Sequence, residues 1–191
     1  MKKQNFFLAI STIVLLFMIC SCTHKYFPLN ELYSAMMPNL VPGDIIVFEK
    51  EKAYERGDII VYMRDGYAET FRIVGLPGDS IGVNNHICII NGKENHSHIL
   101  SDSIIDIDDV SGHVKIDIIE EVLPNSLALK VYRFPVIKSS IDEAPASIKP
   151  IYIPKGYYFV LGDFRSIAAD SRTIGLIPYD EIKGKMVKII K

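Results

Sequence analysis

The sequence predicts an all-β or β-dominated, barrel-like domain, and three observations carry that prediction. Short runs of β-branched and aromatic residues recur along the chain. Gly, Pro, Asn and Asp punctuate them at turn spacing. Between residues 40 and 100 no apolar stripe of period 3.6 appears, so no long amphipathic helix is expected there. The runs, in order, are Asp44-Ile45-Ile46-Val47-Phe48, Asp58-Ile59-Ile60-Val61-Tyr62, Thr70-Phe71-Arg72-Ile73-Val74, Ile87-Cys88-Ile89-Ile90, Leu127-Ala128-Leu129-Lys130-Val131-Tyr132 and Tyr157-Tyr158-Phe159-Val160-Leu161. The punctuation is Pro42-Gly43-Asp44, Arg56-Gly57-Asp58, Pro77-Gly78-Asp79, Asn91-Gly92 and Lys155-Gly156. So many short strands must close on themselves or pair to hide their edges, and a barrel-like form does this.

The 191 residues suit one domain with a short extra segment, and 49% hydrophobic content suffices for a packed core. Balanced charge, 21 basic against 23 acidic side chains, gives no basic field and argues against a nucleic-acid partner.

The hydrophobicity is concentrated at the start. Lys2 and Lys3 precede a charge-free run of 14 residues from Phe6 to Ile19, short for a bilayer span and well suited to an export signal. Residues 1–22 are therefore read as a signal or anchor segment and 23–191 as the folded domain. Lys2 and Lys3 hold the start on the cytoplasmic side, so the bulk of the chain is expected on the extracytoplasmic side of a bacterial membrane. Without residues 1–22 the domain keeps 19 basic against 23 acidic side chains, a net −4 that gives no overall attraction to anionic lipid.

Cys20 and Cys22 lie in the anchor segment, which leaves Cys88 alone in the domain, a buried structural thiol in an alternating strand. His96 and His98 have no further ligands at zinc spacing and read as a solvated loop, so neither a metal nor another cofactor is expected. Residues 94–150 carry the acidic run Ile104-Ile105-Asp106-Ile107-Asp108-Asp109, a solvated edge, and read as an insertion with strands of its own, rejoined by a loop from Lys138 to Pro150.

An ordered series of motifs carries a resemblance. Ala35-Met36-Met37-Pro38-Asn39-Leu40, Pro42-Gly43-Asp44, Arg56-Gly57-Asp58, Phe71-Arg72-Ile73-Val74-Gly75-Leu76-Pro77-Gly78-Asp79, Gly162-Asp163-Phe164-Arg165 and Asp170-Ser171-Arg172 follow one another in the order and spacing of the type I signal peptidases. The chain resembles that family over nearly its whole length. The resemblance marks Pro38, Asp44, Arg72, Gly75, Pro77, Asp79, Gly162, Asp163, Arg165, Asp170 and Arg172 as scaffold positions. Independently of those motifs, Ile19-Cys20-Ser21-Cys22 resembles a bacterial lipobox, which implies that Cys22 carries lipid, with an uncleaved transmembrane anchor as the other reading.

The family cleaves signal peptides with a serine nucleophile and a lysine base, which needs a hydroxyl placed to attack and an ammonium desolvated enough to lose its proton. The resemblance puts Ala35 at the nucleophile and Tyr33 at the serine that assists the oxyanion hole. Phe71 stands at the lysine and Ala168 at the serine that orients it. Four polar positions are thus apolar or bulky while the scaffold residues stay. Ser34 is the fallback nucleophile, but in a strand it faces away from Ala35, and Lys50, Lys52 or His86 would have to serve as its base. Ser171 is a weaker candidate, because the flanking Asp170 and Arg172 read as an ion pair. The expected activity is therefore binding without cutting. Exported polypeptides, signal-peptide segments or a secretion or assembly partner would lie along a cleft lined by Tyr33, Met36, Met37 and Phe71. The alternative is an active type I signal peptidase.

Overall fold

The computed structural model describes residues 25–28, 35–64, 66–106, 113–135 and 144–191. Residues 1–24, with Cys22, and residues 29–34, with Tyr33 and Ser34, lie outside them.

The strands are β1 (Lys25–Pro28), β2 (Ile45–Glu49), β3 (Ile59–Arg64), β4 (Tyr67–Gly75), β5 (Ser80–Asn84), β6 (Ile87–Ile90), β7 (Lys93–Glu94), β8 (His96–Asp106), β9 (His113–Val122), β10 (Ala128–Arg133), β11 (Ile148–Tyr152), β12 (Tyr157–Leu161), β13 (Ile177–Pro178) and β14 (Ile182–Ile190). One four-residue helix, α1 (Ser171–Ile174), and a 3-10 turn at Tyr179–Glu181 complete the described elements. The strands form a seven-stranded sheet in the order β1-β2-β14-β3-β4-β12-β13, a four-stranded sheet β11-β5-β6-β7 and a three-stranded sheet β10-β9-β8. All the strand pairs are antiparallel. The fold is β-dominated, as the runs of Val, Ile and aromatics require.

Strand β12 shows how the parts join. Its side chains alternate, Tyr158 and Val160 entering the core under the large sheet while Phe159 and Leu161 enter a second core with β5, β6, β9 and β10. A strand buried on both faces reads as a continuous apolar run, and Tyr-Tyr-Phe-Val-Leu is one. The turns use the residues their backbones need. Asn91 and Gly92 have φ of 54° and 79°, both left-handed, which suits the twist of the β6–β7 hairpin.

Two expectations need correction. His96 and His98 are in β8 and not in a loop, because their segment pairs with Val122 and Glu120 of β9. The rejoining loop does not run to Pro150 either, since Ile148–Tyr152 is strand β11 against β5. Strands β8, β9 and β10 form their own sheet, and β10 reaches the last scaffold motif directly. Tyr132 bridges Phe164 in parallel, its N–H donating to the Asp163 carbonyl at 2.9 Å while its own carbonyl accepts from Arg165 N–H at 2.7 Å.

Candidate functional site

The turn that follows the nucleophile position begins at Ala35. Its carbonyl accepts the Phe164 N–H at 2.8 Å, and the Met36 carbonyl accepts from Asn39 and Leu40 at 2.9 and 3.1 Å, tightening residues 36–40 into one turn. Gly162 lies against this turn. A side chain there would meet the Ala35 carbonyl oxygen at 2.6 Å and collide with the Ala168 methyl, so only glycine allows the approach. Ala35, Gly162 and Ala168 are therefore neighbours in space, although 127 positions separate Ala35 from Gly162 in the chain.

Phe71 joins them from β4. It is buried, with Met36, Ala168, Ile60 and Tyr62 in the same cluster, and its ring lies 5.9 Å from that of Tyr62. Met36 is fully buried as well. Met37 is half-buried and packs with Phe164, Ile167 and Ile116 on the side of the inserted sheet. Two of the expected cleft residues, Met36 and Phe71, are thus core side chains. Burying a phenylalanine this far is worth roughly 1.5–3 kcal/mol, and an ammonium in its place would stand among methyl groups and aromatic faces. Beside Phe71, Tyr62 donates its hydroxyl to Glu69 Oε2 at 2.7 Å, and burial first, then Glu69, pushes that phenol above its usual range.

A frame of buried ion pairs surrounds the apolar cluster. Arg72, next to Phe71, grips Asp163 through two bonds of 2.9 and 2.7 Å and gives a third to the Gly57 carbonyl at 2.7 Å. Asn39 donates to Asp163 at 2.7 Å and to the Lys130 carbonyl at 2.9 Å, so it ties the turn to both the frame and the inserted sheet. Asp170 caps α1 and holds Arg172 with bonds of 2.8 and 2.7 Å. Arg165 lies 2.7 Å from Glu121, both buried. Burial alone would raise the Glu121 carboxyl, but Arg165 and bonds from Cys88 N–H and Asn95 hold it below its usual range. Asp44 and Asp79 close the turns at Val41 and Leu76 by accepting their N–H groups at 3.1 and 2.8 Å. Pro77 stands in the second of these turns, Pro38 in the 36–40 turn just ahead of the first, and Gly75, at the end of β4, packs against Ile153 and Phe159. Cys88 is buried against the Arg165–Glu121 pair, and burial pushes its thiol up.

The family model "Signal peptidase, peptidase S26" matches residues 3–190. The chain belongs to this family. It is similar to signal peptidase IB of Staphylococcus aureus strain COL, at 30% identity over 97% of this chain and 89% of that one. It is also similar to signal peptidase I of Buchnera aphidicola subsp. Baizongia pistaciae, at 30% identity over 81% of this chain and 66% of that one. A crystal structure of a signal peptidase I from Enterococcus faecalis V583 aligns with a TM-score of 0.39 and 23% identity, over 70% of this chain and 97% of that one.

Within the family frame, the substitute groups have other duties. Lys50 donates to the Ile182 carbonyl at 2.6 Å and lies 4.5 Å over the Tyr179 ring. Lys52 is exposed. His86 is buried, and its Nδ1 lies 3.0 Å from Arg172 Nη1, which can only donate, so Nδ1 accepts and Nε2 carries the proton toward Ser166 at 3.5 Å. Burial first, then Arg172, Arg165 and Arg133, lower this imidazole to about 3. Ser171 is buried and accepts the Val160 N–H at 2.9 Å. Among the described residues no group of three or more His, Cys, Asp or Glu could hold a metal ion, and no helix is long and apolar enough to cross a membrane. Sequence reasoning missed the roles of Asn39, quoted only as part of its motif, and of His86, named only as a substitute base. Asn39 stands where the family motif has threonine, which was a usable signal; His86 sits in a turn with φ of 69°, which no local pattern announced.

Proposed function

We propose that this chain is a non-cutting signal-peptidase-type protein that holds exported polypeptides, or a secretion or assembly partner, on the extracytoplasmic side of a bacterial membrane. The observation that carries the reading is the apolar cluster at the dyad position: Ala35 adjoins Ala168 across Gly162, and Phe71 fills the base position beside Met36 and Ala168. A hydroxyl nucleophile and a proton acceptor are both missing from those two positions, while the Arg72–Asp163 and Asp170–Arg172 pairs that shape the frame remain. Attachment through residues 1–22, by lipid on Cys22 or by an uncleaved anchor, keeps the domain where exported chains emerge.

The test is a preprotein cleavage assay with the full chain in detergent, beside its Ser34→Ala form and the Ala35→Ser/Phe71→Lys/Ala168→Ser form. The native chain leaves the preprotein whole and retains it on co-purification. Cleavage that disappears in Ser34→Ala would establish an active signal peptidase with a displaced nucleophile and overturn the proposal.

A further inference from the structure

The three sheets treat their outer strands differently. An outer strand presents a row of unpaired N–H and C=O groups that an extended chain can join, and proteins blunt such edges with shortness, lysine or proline. In the large sheet β1 carries Lys25 and Pro28, and β13 is two residues ending in Pro178. In the four-stranded sheet β11 carries Lys149 and Pro150, and β7 is two residues, Lys93 and Glu94. In the inserted sheet β10 is bridged to Phe164. Strand β8, the other outer strand there, has 11 residues with neither lysine nor proline, and among the described residues only β9 pairs with it. Its Ile99, Leu100 and Ile104 are 56%, 43% and 67% exposed.

One feature interrupts this edge. The register against β9 shifts between Ile99 and Ser101, which makes Leu100 an extra residue, and Ser101–Asp106 then pair one to one with Ile118–His113. That shift argues against a second copy as the occupant. An antiparallel copy would match charge only by setting the end with His96 and His98 against the end with Asp102. His98 lies 3.7 Å from Glu120, and Asp102 lies 2.7 Å from Lys115. Glu120 and Lys115 are five apart on β9, an odd number, so His98 and Asp102 point to opposite faces and do not meet in such a pairing. Pairing through residues 101–106 alone would join two segments that each hold two aspartates and no lysine or arginine.

The charge points to a basic strand. Residues 96–133 hold seven acids against Lys115, Lys130 and Arg133, so they account for the whole net −4 of residues 23–191, and the remainder balances at 16 of each sign. Asp102 is exposed on one face of the 101–106 segment. Ile105, on the other face, packs against the cluster of Ile116, Phe134, Phe164 and Ile167, as Met37 of the 36–40 turn does. A strand with basic residues on the first face and apolar ones on the second would meet Asp102 with charge and cover Ile104 with lysine stems. Its apolar side would extend the cluster beyond Ile105.

We infer that the Ser101–Asp106 edge of β8 takes up an extended polypeptide segment in which basic and apolar residues alternate, adding it to the inserted sheet as a fourth strand. The inference deepens the binding reading proposed above, resting on it for the guest being an exported chain, and it places the grip away from positions 35 and 71.

The probe is a blocked, labelled peptide of four Lys-Val repeats, titrated into the full chain in nonionic detergent and followed by fluorescence anisotropy. A Lys-Pro repeat matches its charge without forming a strand, and a Glu-Val repeat reverses the charge. The Lys-Val peptide should bind about tenfold or more tighter than either control and should slow amide exchange in residues 101–106 of the native chain. Asp102→Lys/Ile104→Lys, at two exposed positions, should weaken it about tenfold or more with the melting temperature unchanged. Equal affinity for the Lys-Pro peptide would reduce the contact to charge and overturn the inference. Failure of the Lys-Val peptide to bind would overturn it as well. So would slowed exchange in residues 36–40 or 71–76 with none in 101–106, which would place the guest at the family site and leave the functional reading intact. A preprotein that is not retained, while the peptide still adds to β8, would sink the functional reading and leave this edge standing.

Discussion

Two regions a few side chains apart have been treated in opposite ways. Around Ala35, Phe71 and Ala168 the structure packs methyl groups and an aromatic ring against one another. Around Asp163, Arg165 and Asp170 the charged groups persist, buried and paired. The contrast follows from what each loss costs. Exchanging a catalytic serine for alanine leaves the packing nearly intact, whereas removing one member of a buried ion pair strands the other charge out of water. The fold needs the frame whether or not the site cuts peptides.

The sharpest way to break the comparison is Arg165→Met, which leaves Glu121 buried and unpaired. We expect a loss of about 3–5 kcal/mol, read as a lowered melting temperature. Arg165→Met combined with Glu121→Leu should recover most of it, because no charge is then stranded. A single variant that melts like the native chain would show that the frame is not structural.

The next effect is of similar or slightly smaller size and appears on acidification. The His86 imidazole is lowered to about 3 in the folded chain against an ordinary 6.5, so the unfolded chain binds the extra proton between those values. Stability contributed by this group is complete above about 6.5 and drains away as pH falls toward 3, by at most about 4–5 kcal/mol at 1.36 kcal/mol per unit. Glu121 acts in the same direction at lower pH, its carboxylate being held below the usual range. Chemical denaturation measured from pH 7 to 4 should show the loss, and His86→Gln should flatten the pH 6.5–4 part of the curve. A native chain equally stable at both ends would refute the buried neutral histidine.

Asn39→Ala tests the junction between the regions. It removes the bonds to Asp163 and to the Lys130 carbonyl, and we expect about 1–2 kcal/mol without change to the Arg72–Asp163 pair. Asn39→Asp should be worse, since it places a second carboxylate beside Asp163.

How much of this was legible depends on range. The strands and turns were, because period-two runs and Asn-Gly or Pro-Gly-Asp turns are local signals. The motifs also singled out Ala35, Phe71 and Ala168, each at a fixed offset from an Asp, Arg or Pro, and these three do pack together. Partners distant in the chain were not legible. Nothing near Arg165 indicates that its acid is Glu121, 44 positions earlier and in the inserted sheet, and nothing near Asn39 indicates Asp163. Nor could alternation reveal that Met36 and Phe71 pack as core, because the same residues would line an open groove or close it; only their burial separates the two.

The smallest expected effect separates positions 35 and 71, the two halves of the proposed loss. Ala35 is half-buried with its carbonyl already bonded to Phe164 N–H, so Ala35→Ser adds one hydroxyl at a cost of about 0.5 kcal/mol or less. It should also leave the preprotein uncut, because Phe71 cannot take the proton that the hydroxyl must lose. Restoring the base is the expensive half. Phe71→Lys removes a packed ring and puts an ammonium against Met36, Ala168 and Tyr62, where desolvation drives its pKa down, which is also the condition for a lysine base at neutral pH. Position 71 would then be the barrier to catalysis, and position 35 a cheap companion loss. Cleavage by Ala35→Ser alone, measured on the same preprotein, would contradict this order by revealing a base elsewhere in the site.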